Sequence, residues 1–139
     1  EVIEQYQYQD LLIAHGRLER DLVTGISGRE RVVQELQKSD VLILLHGNDE
    51  WCAEYIPSKF YEYLWTGRPI WGITHRNPQL DQMLSERGAY LSQESDKVGI
   101  DMALERIWLD WQKKQLPKPK SAPIDVKQAV ITILNTIAK

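Results

Sequence analysis

The chain has 139 residues, 42% of them hydrophobic and 27% charged, the composition of one globular domain with a core rather than of a disordered tract. Its formal net charge of −3 and pI near 5.6 argue against the basic face of an electrostatic nucleic-acid binder. No apolar run approaches the roughly 20 residues that span a bilayer, no signal peptide is visible, and the single cysteine, Cys52, excludes an internal disulfide and fits a reducing, cytoplasmic setting.

Residues 1–10 are polar and tyrosine-rich, and the chain opens at Glu1 without a methionine, as an excised piece of a longer protein would. Leu11–Ala14 is a short apolar run ending at His15-Gly16, which predicts a strand and a turn. Ser27 and Glu30 have the spacing of a capping box at a helix start, and Val32, Val33 and Leu36 follow as one helical stripe. Ser39-Asp40 ends that helix. Val41–Leu45 is apolar throughout, as expected of a strand buried on both faces of a parallel sheet.

The alternation then repeats. Pro57 suits the first helical position and Gly67 the residue just past the end, so a helix is predicted between them, followed by a strand over Pro69–Thr74. Asn77-Pro78 reads as a cap before a helix with Leu80, Met83 and Leu84 in register, stopped by Gly88. Ala89–Leu91 is a short strand. Asp96 caps a helix that carries Ile100, Leu104, Ile107 and Trp111 on one face. Residues 116–123 form a stiff, basic Pro/Lys connector, and Asp125 caps a last helix over 125–138 with Val126, Val130, Ile133 and Ile137 in register.

The order β-α-β-α-β-α-β-α-α implies an α/β fold: one domain over 1–139, a Rossmann-like parallel sheet with helices on both faces. Ligands of such folds bind at the carboxyl ends of the strands, which here puts residues 46–59 and 74–78 at the functional end. In that end stands the most informative segment, Glu54-Tyr-Ile-Pro-Ser-Lys-Phe-Tyr-Glu62 running into Tyr63-Leu-Trp-Thr-Gly67-Arg-Pro69-Ile. It combines two acids, a cation and a helix start, a set suited to a ligand with hydroxyls and a phosphate.

Residues 38–91 resemble the nucleotide-sugar-binding half of glycosyltransferases of the GT-B fold, the retaining type in particular. The features that match are Lys38-Ser39-Asp40-Val-Leu-Ile-Leu-Leu45, the paired Glu54 and Glu62, the helix closing at Gly67-Arg68-Pro69, and Gly88-Ala89 one helix later. The resemblance implies half of a GT-B fold. It implies that Glu54 faces the donor sugar and works with Lys59 in catalysis. Glu62 accepts hydrogen bonds from ribose hydroxyls, Ser58 and Ile56 line the donor, and the Gly16-Arg17 loop holds the base. No metal and no cofactor is implied beyond the nucleoside diphosphate-sugar itself. The partners implied are that donor, an upstream acceptor-binding domain, and for the intact enzyme a peripheral membrane association; nucleic acid is not among them. The chain departs from the commoner pattern at Tyr55-Ile56-Pro57-Ser58-Lys59, where a Phe-Gly pair is usual, and at Trp65, where a small residue is usual.

Each of these side chains also has a plainer reading. Glu62 on a helix surface and Glu54 in a loop are ordinary solvent-facing acids, and Lys59 an ordinary lysine. Lys59 in a first turn nevertheless opposes the helix dipole, a misfit that a neighbouring anion relieves. Pro57 has no N–H, so the amides of Ser58 and Lys59 are donors for a diphosphate or for water. His15, His46 and His75 lie in loops without metal-ligand spacing. No zinc pattern, P-loop, Gly-x-Gly-x-x-Gly or nucleophile elbow occurs, which disfavours a dinucleotide-dependent oxidoreductase. Tryptophans are core or interface by default; Trp108 and Trp111 suit a contact with a further domain. Two functions follow: the donor-binding domain of a hexosyltransferase, inactive alone, or a non-catalytic α/β interaction module, a degenerate transferase scaffold.

Overall fold

The computed structural model describes residues 13–119 and 126–137. The chain divides into two compact units, residues 1–35 and 36–139, with the boundary inside helix α1, Gly28–Lys38.

In the first unit, Asp21 folds the chain back on itself. Its carboxylate accepts the amides of Val23 at 2.9 Å and Thr24 at 2.8 Å, and these bonds hold it below the usual carboxylate range. The capping box forms as expected: Ser27 Oγ accepts the Glu30 amide at 3.2 Å while Glu30 Oε2 accepts the Ser27 amide at 2.8 Å. Gly28 has a strict requirement, since a Cβ there would stand 2.0 Å from the Leu18 carbonyl oxygen. The strand expected at Leu11–Ala14 is corrected in part. Leu11 and Leu12 lie outside the described residues, and Ile13 and Ala14 are irregular and exposed. The stripe Val32, Val33 and Leu36 buries none of its members fully.

The second unit is α/β. Strands β1 (Leu42–Leu45), β2 (Ile70–Thr74) and β3 (Tyr90–Gln93) form an open parallel sheet in the order β1-β2-β3, with Leu42 opposite Ile70 and Trp71 opposite Tyr90. Helices α2 (Ser58–Thr66) and α3 (Pro78–Glu86) are the crossovers, and both pack on one face. Leu44, Ile70, Phe60, Leu64, Leu80 and Leu84 make the core there. Crossovers of one hand put successive helices on the same side, which is why the strands run in sequence order. Gly72 lets α3 approach: a Cβ at this position would meet Leu84 Cδ1 at 2.4 Å.

Helix α4 (Lys97–Gln112) covers the other face over β3. Trp71 Nε1 donates to Ser92 Oγ at 3.0 Å and Tyr90 Oη to Asp110 at 2.8 Å, so the polar atoms under α4 are paired. Of the stripe expected on α4, Ile107 is buried, Ile100 is half-buried, and Leu104 and Trp111 are exposed. The expectation that β1 is buried on both faces is corrected. Leu42 and Leu44 are buried, but Ile43 is 52% and Leu45 71% exposed, because α4 does not reach across to the edge strand. The third strand runs Tyr90–Gln93 rather than Ala89–Leu91. A last helix, α5 (Val126–Ile137), exposes Val130, Ile131, Ile133 and Leu134; its expected cap, Asp125, lies outside the described residues. Among the described residues no helix is long and apolar enough to cross a membrane.

Candidate functional site

The carboxyl end of the sheet carries three loops, 46–57 after β1, 75–77 after β2 and 94–96 after β3. In the first, Asp49 caps a single 3₁₀ turn, Glu50–Ala53, by accepting the Cys52 amide at 3.1 Å. That turn brings the Cys52 carbonyl inward. His46, buried at the end of β1, lies 2.6 Å from it through Nε2. A carbonyl only accepts, so Nε2 carries the hydrogen and His46 is a structural donor. The Tyr55 ring stands edge-on to His46 with centroids 5.0 Å apart. Its hydroxyl lies 3.8 Å from the buried Cys52 thiol, a contact that raises the phenol's pKa.

The second loop is fastened to the first by Asn77. Its Oδ1 caps α3 by accepting the Leu80 amide at 2.9 Å, and its Nδ2 donates to the carbonyls of Cys52 at 2.8 Å and Tyr55 at 2.9 Å. With Asn77 fixed, Arg76 is held at φ 46°, the left-handed region that a side chain ordinarily avoids. Two polar networks extend this end toward β3. Thr74 Oγ1 donates to Asp81 at 2.6 Å, and Gln93 donates to the same carboxylate at 3.0 Å. Glu94 accepts from Asn48 at 3.3 Å and pairs with His75 at 3.4 Å. Loops from all three strands are thereby held in register.

Helix α2 begins at this end. Pro57 is its cap, at φ −66° and ψ 139°, and not its first helical residue as expected; the extended ψ precedes the helix, and Ser58 opens it. Pro57 makes no side-chain cap bond, so the first amides of α2 receive no capping side chain. Gly67 closes the helix at φ 66°, as expected. Glu54, Ser58, Lys59 and Glu62 are all exposed, spaced from the loop through the first two turns of α2. Burial and the negative charge of Glu62 raise the pKa of Tyr63 beside it. Ile56 packs against the core cluster. Gly16, at φ 61°, and Arg17 belong to the N-terminal unit and are exposed there.

Acids outnumber bases at this end, with Asp49, Glu50, Glu54, Asp81, Glu94 and Asp96 against Lys59, Arg76 and Lys97. Four of the acids are occupied, as helix caps or in the networks to β3. Exposed carboxylates at this end are acceptors for hydroxyl donors, and Lys59 and Arg76 are exposed cations beside them. Among the described residues no group of three or more His, Cys, Asp or Glu could hold a metal. Sequence reasoning identified Asn77 as a cap only. It did not find Arg76, and nothing local signals that an arginine will occupy a left-handed turn. No family model, curated protein or solved structure matches the chain.

Proposed function

We propose that this chain is the donor-binding part of a glycosyltransferase of the GT-B type, taking a nucleoside diphosphate-sugar at the carboxyl end of its sheet. The observation that carries the reading is the fastening of the loops after β1 and β2 by Asn77, beside a helix start with no side-chain cap. Such a start, with Lys59 in its first turn, is a ready counter-charge for a diphosphate. Glu62 one turn further accepts two ribose hydroxyls, Glu54 faces the sugar, and Arg76 adds a second cation. As the glycosidic bond breaks the leaving diphosphate gains charge, which these donors stabilise electrostatically without a required metal. Alone the chain binds donor weakly and transfers nothing, since the acceptor side is supplied elsewhere.

The test is a melting curve with nucleoside diphosphates, because a ligand that binds only the folded state raises the melting temperature. A concentration-dependent rise that one base gives more strongly than the others supports the reading; no rise with any of them removes it. A non-catalytic interaction module is the second reading, favoured by the exposed apolar side chains of α5 and by Trp65. A chain that ignores nucleotides yet associates through α5 is that module.

A further inference from the structure

The opposite, amino end of the sheet holds a groove of about 530 Å³ lined by Asp40, Thr66, Arg68, Trp111, Lys114 and Lys118 among others. Its size falls within the range of small-molecule sites. Three cations line it in a chain whose net charge is −3, and Asp40 is the one acid among its described lining residues. The Asp40 carboxylate is already engaged, accepting the Trp111 indole N–H at 3.0 Å.

Each of the three cations stands on a restrained backbone. Arg68 lies between Gly67, left-handed at φ 66°, and Pro69, and its guanidinium donates to the Gln37 carbonyl. Lys118 lies between Pro117 and Pro119, which line a small cavity against Phe60, Ile70 and Leu84. Lys114 is the most telling. The Gln115 amide donates to Asp110 O at 2.8 Å and the Lys114 amide to Trp111 O at 3.0 Å, a Schellman ending. Helix α3 ends in the same way, with Ala89 donating to Leu84 O and Gly88 to Ser85 O, and has glycine at the left-handed position, φ 76°. Helix α4 has Lys114 there, at φ 56°. A lysine stands where glycine is unstrained, at the rim of a groove that already holds two cations. Strain at such a place is the ordinary companion of a binding role.

We infer that this groove is a binding site for a phosphorylated small molecule, its phosphate held by Arg68, Lys114 and Lys118 and its carbon skeleton against Trp111 and Leu116. The site is separate from the carboxyl end and does not depend on what binds there. Bringing three like charges together costs repulsion that a dianion removes, and the restrained backbones leave less motion to lose on binding.

Phenyl phosphate and inorganic phosphate are the probes, and the indole N–H of Trp111 is the reporter in a ¹⁵N correlation spectrum, assigned with Trp111→Phe. Phenyl phosphate is expected to shift that resonance and to bind more tightly than inorganic phosphate, with chloride at equal ionic strength as the control. Lys114→Gly removes one charge and the strained geometry together, so its melting temperature should stay level or rise while phenyl phosphate binds about tenfold more weakly. Lys118→Gln should weaken binding in the same direction without affecting the helix end. No shift of the Trp111 indole, or the same affinity in wild type, Lys114→Gly and Lys118→Gln, overturns the inference. Loss of binding in Glu62→Ala with none in Lys114→Gly assigns the phosphate to the carboxyl end and overturns it equally.

Discussion

The side-chain amide of Asn77 donates to the Cys52 carbonyl oxygen at 2.8 Å, tying the loop after β2 to the loop after β1 across 25 residues of sequence. The same side chain reaches Tyr55 O and caps α3. Asn77→Ala loses a cap worth about 1 kcal/mol and leaves the Tyr55 carbonyl short of a donor at about 1–3 kcal/mol more, while the Cys52 carbonyl keeps the bond from His46, so urea denaturation should show a loss of about 2–4 kcal/mol. Asn77→Ser keeps a capping oxygen and should fall between. A loss in Asn77→Ala no larger than an ordinary cap deletion would show that the two donated bonds contribute nothing.

The caps at Ser27, Asn77 and Asp96 were legible because each bonds an amide three residues on, and the two partners are read together. Helices α2 to α5 and the strands at 42–45 and 70–74 follow from the same local signals. That β1 is buried on one face only was not legible, because Leu42–Leu45 is apolar whichever face is covered and the difference depends on where α4 ends its reach. The second role of Asn77 was hidden for a similar reason: its partners are 22 and 25 residues away. Arg76 and Lys114 carry no glycine or asparagine to mark their left-handed turns. At the candidate site, the grouping of Glu54, Ser58, Lys59 and Glu62 along the start of α2 could be read; the networks of Thr74 and Glu94 that join the loops at this end could not.

Gly72 offers a direct check of the packing between α3 and the central strand. A methyl group there meets Leu84 Cδ1 at 2.4 Å, and Leu84 is fully buried. Gly72→Ala should therefore destabilise by about 1–3 kcal/mol through overpacking, measured by denaturant midpoint. Shortening the opposing side chain in Gly72→Ala with Leu84→Val should recover part of the loss, because the two positions share one contact.

Tyr90 and Asp110 give a pH signature. Burial, the hydrogen bond to Asp110 and the charge of Asp110 push the Tyr90 phenol up to about 12 from its ordinary value of 10.0. Bonds from Arg106 and from Tyr90 hold the Asp110 carboxyl below its usual range. Tyr90 therefore adds stability that is complete below about pH 10 and is lost as the pH rises toward about 12. Asp110 works in the other direction: its contribution is present at neutral pH and is lost as the pH falls through its lowered pKa. Tyr55 and Tyr63 are raised too, so tyrosinate absorbance should show a late alkaline region that loses its most alkaline step in Tyr90→Phe. Asp110→Asn should move that step toward the ordinary range. A titration unchanged by Tyr90→Phe would place the late phenol elsewhere.

The two charges of α2 separate the proposed donor's parts. Glu62, accepting ribose hydroxyls, should matter equally for a nucleoside and its diphosphate, since both carry the ribose. Each charge-assisted bond is worth about 1.5–3 kcal/mol, so Glu62→Ala should cost at least about tenfold in both affinities. In the proposed reading Lys59 meets only the phosphates, so Lys59→Ala should leave nucleoside affinity unchanged and lower that of the diphosphate. The ratio of the two affinities should consequently fall in Lys59→Ala and hold in Glu62→Ala. Calorimetry with both ligands on both variants reads it directly, and Lys114→Gly serves as the control for phosphate taken up at the far end of the sheet. Equal loss of nucleoside and diphosphate in Lys59→Ala would mean that Lys59 supports the start of α2 and not the phosphate. If Glu62→Ala instead spares the nucleoside, the ribose rests on another side chain and the assignment of Glu62 fails while the donor site stands.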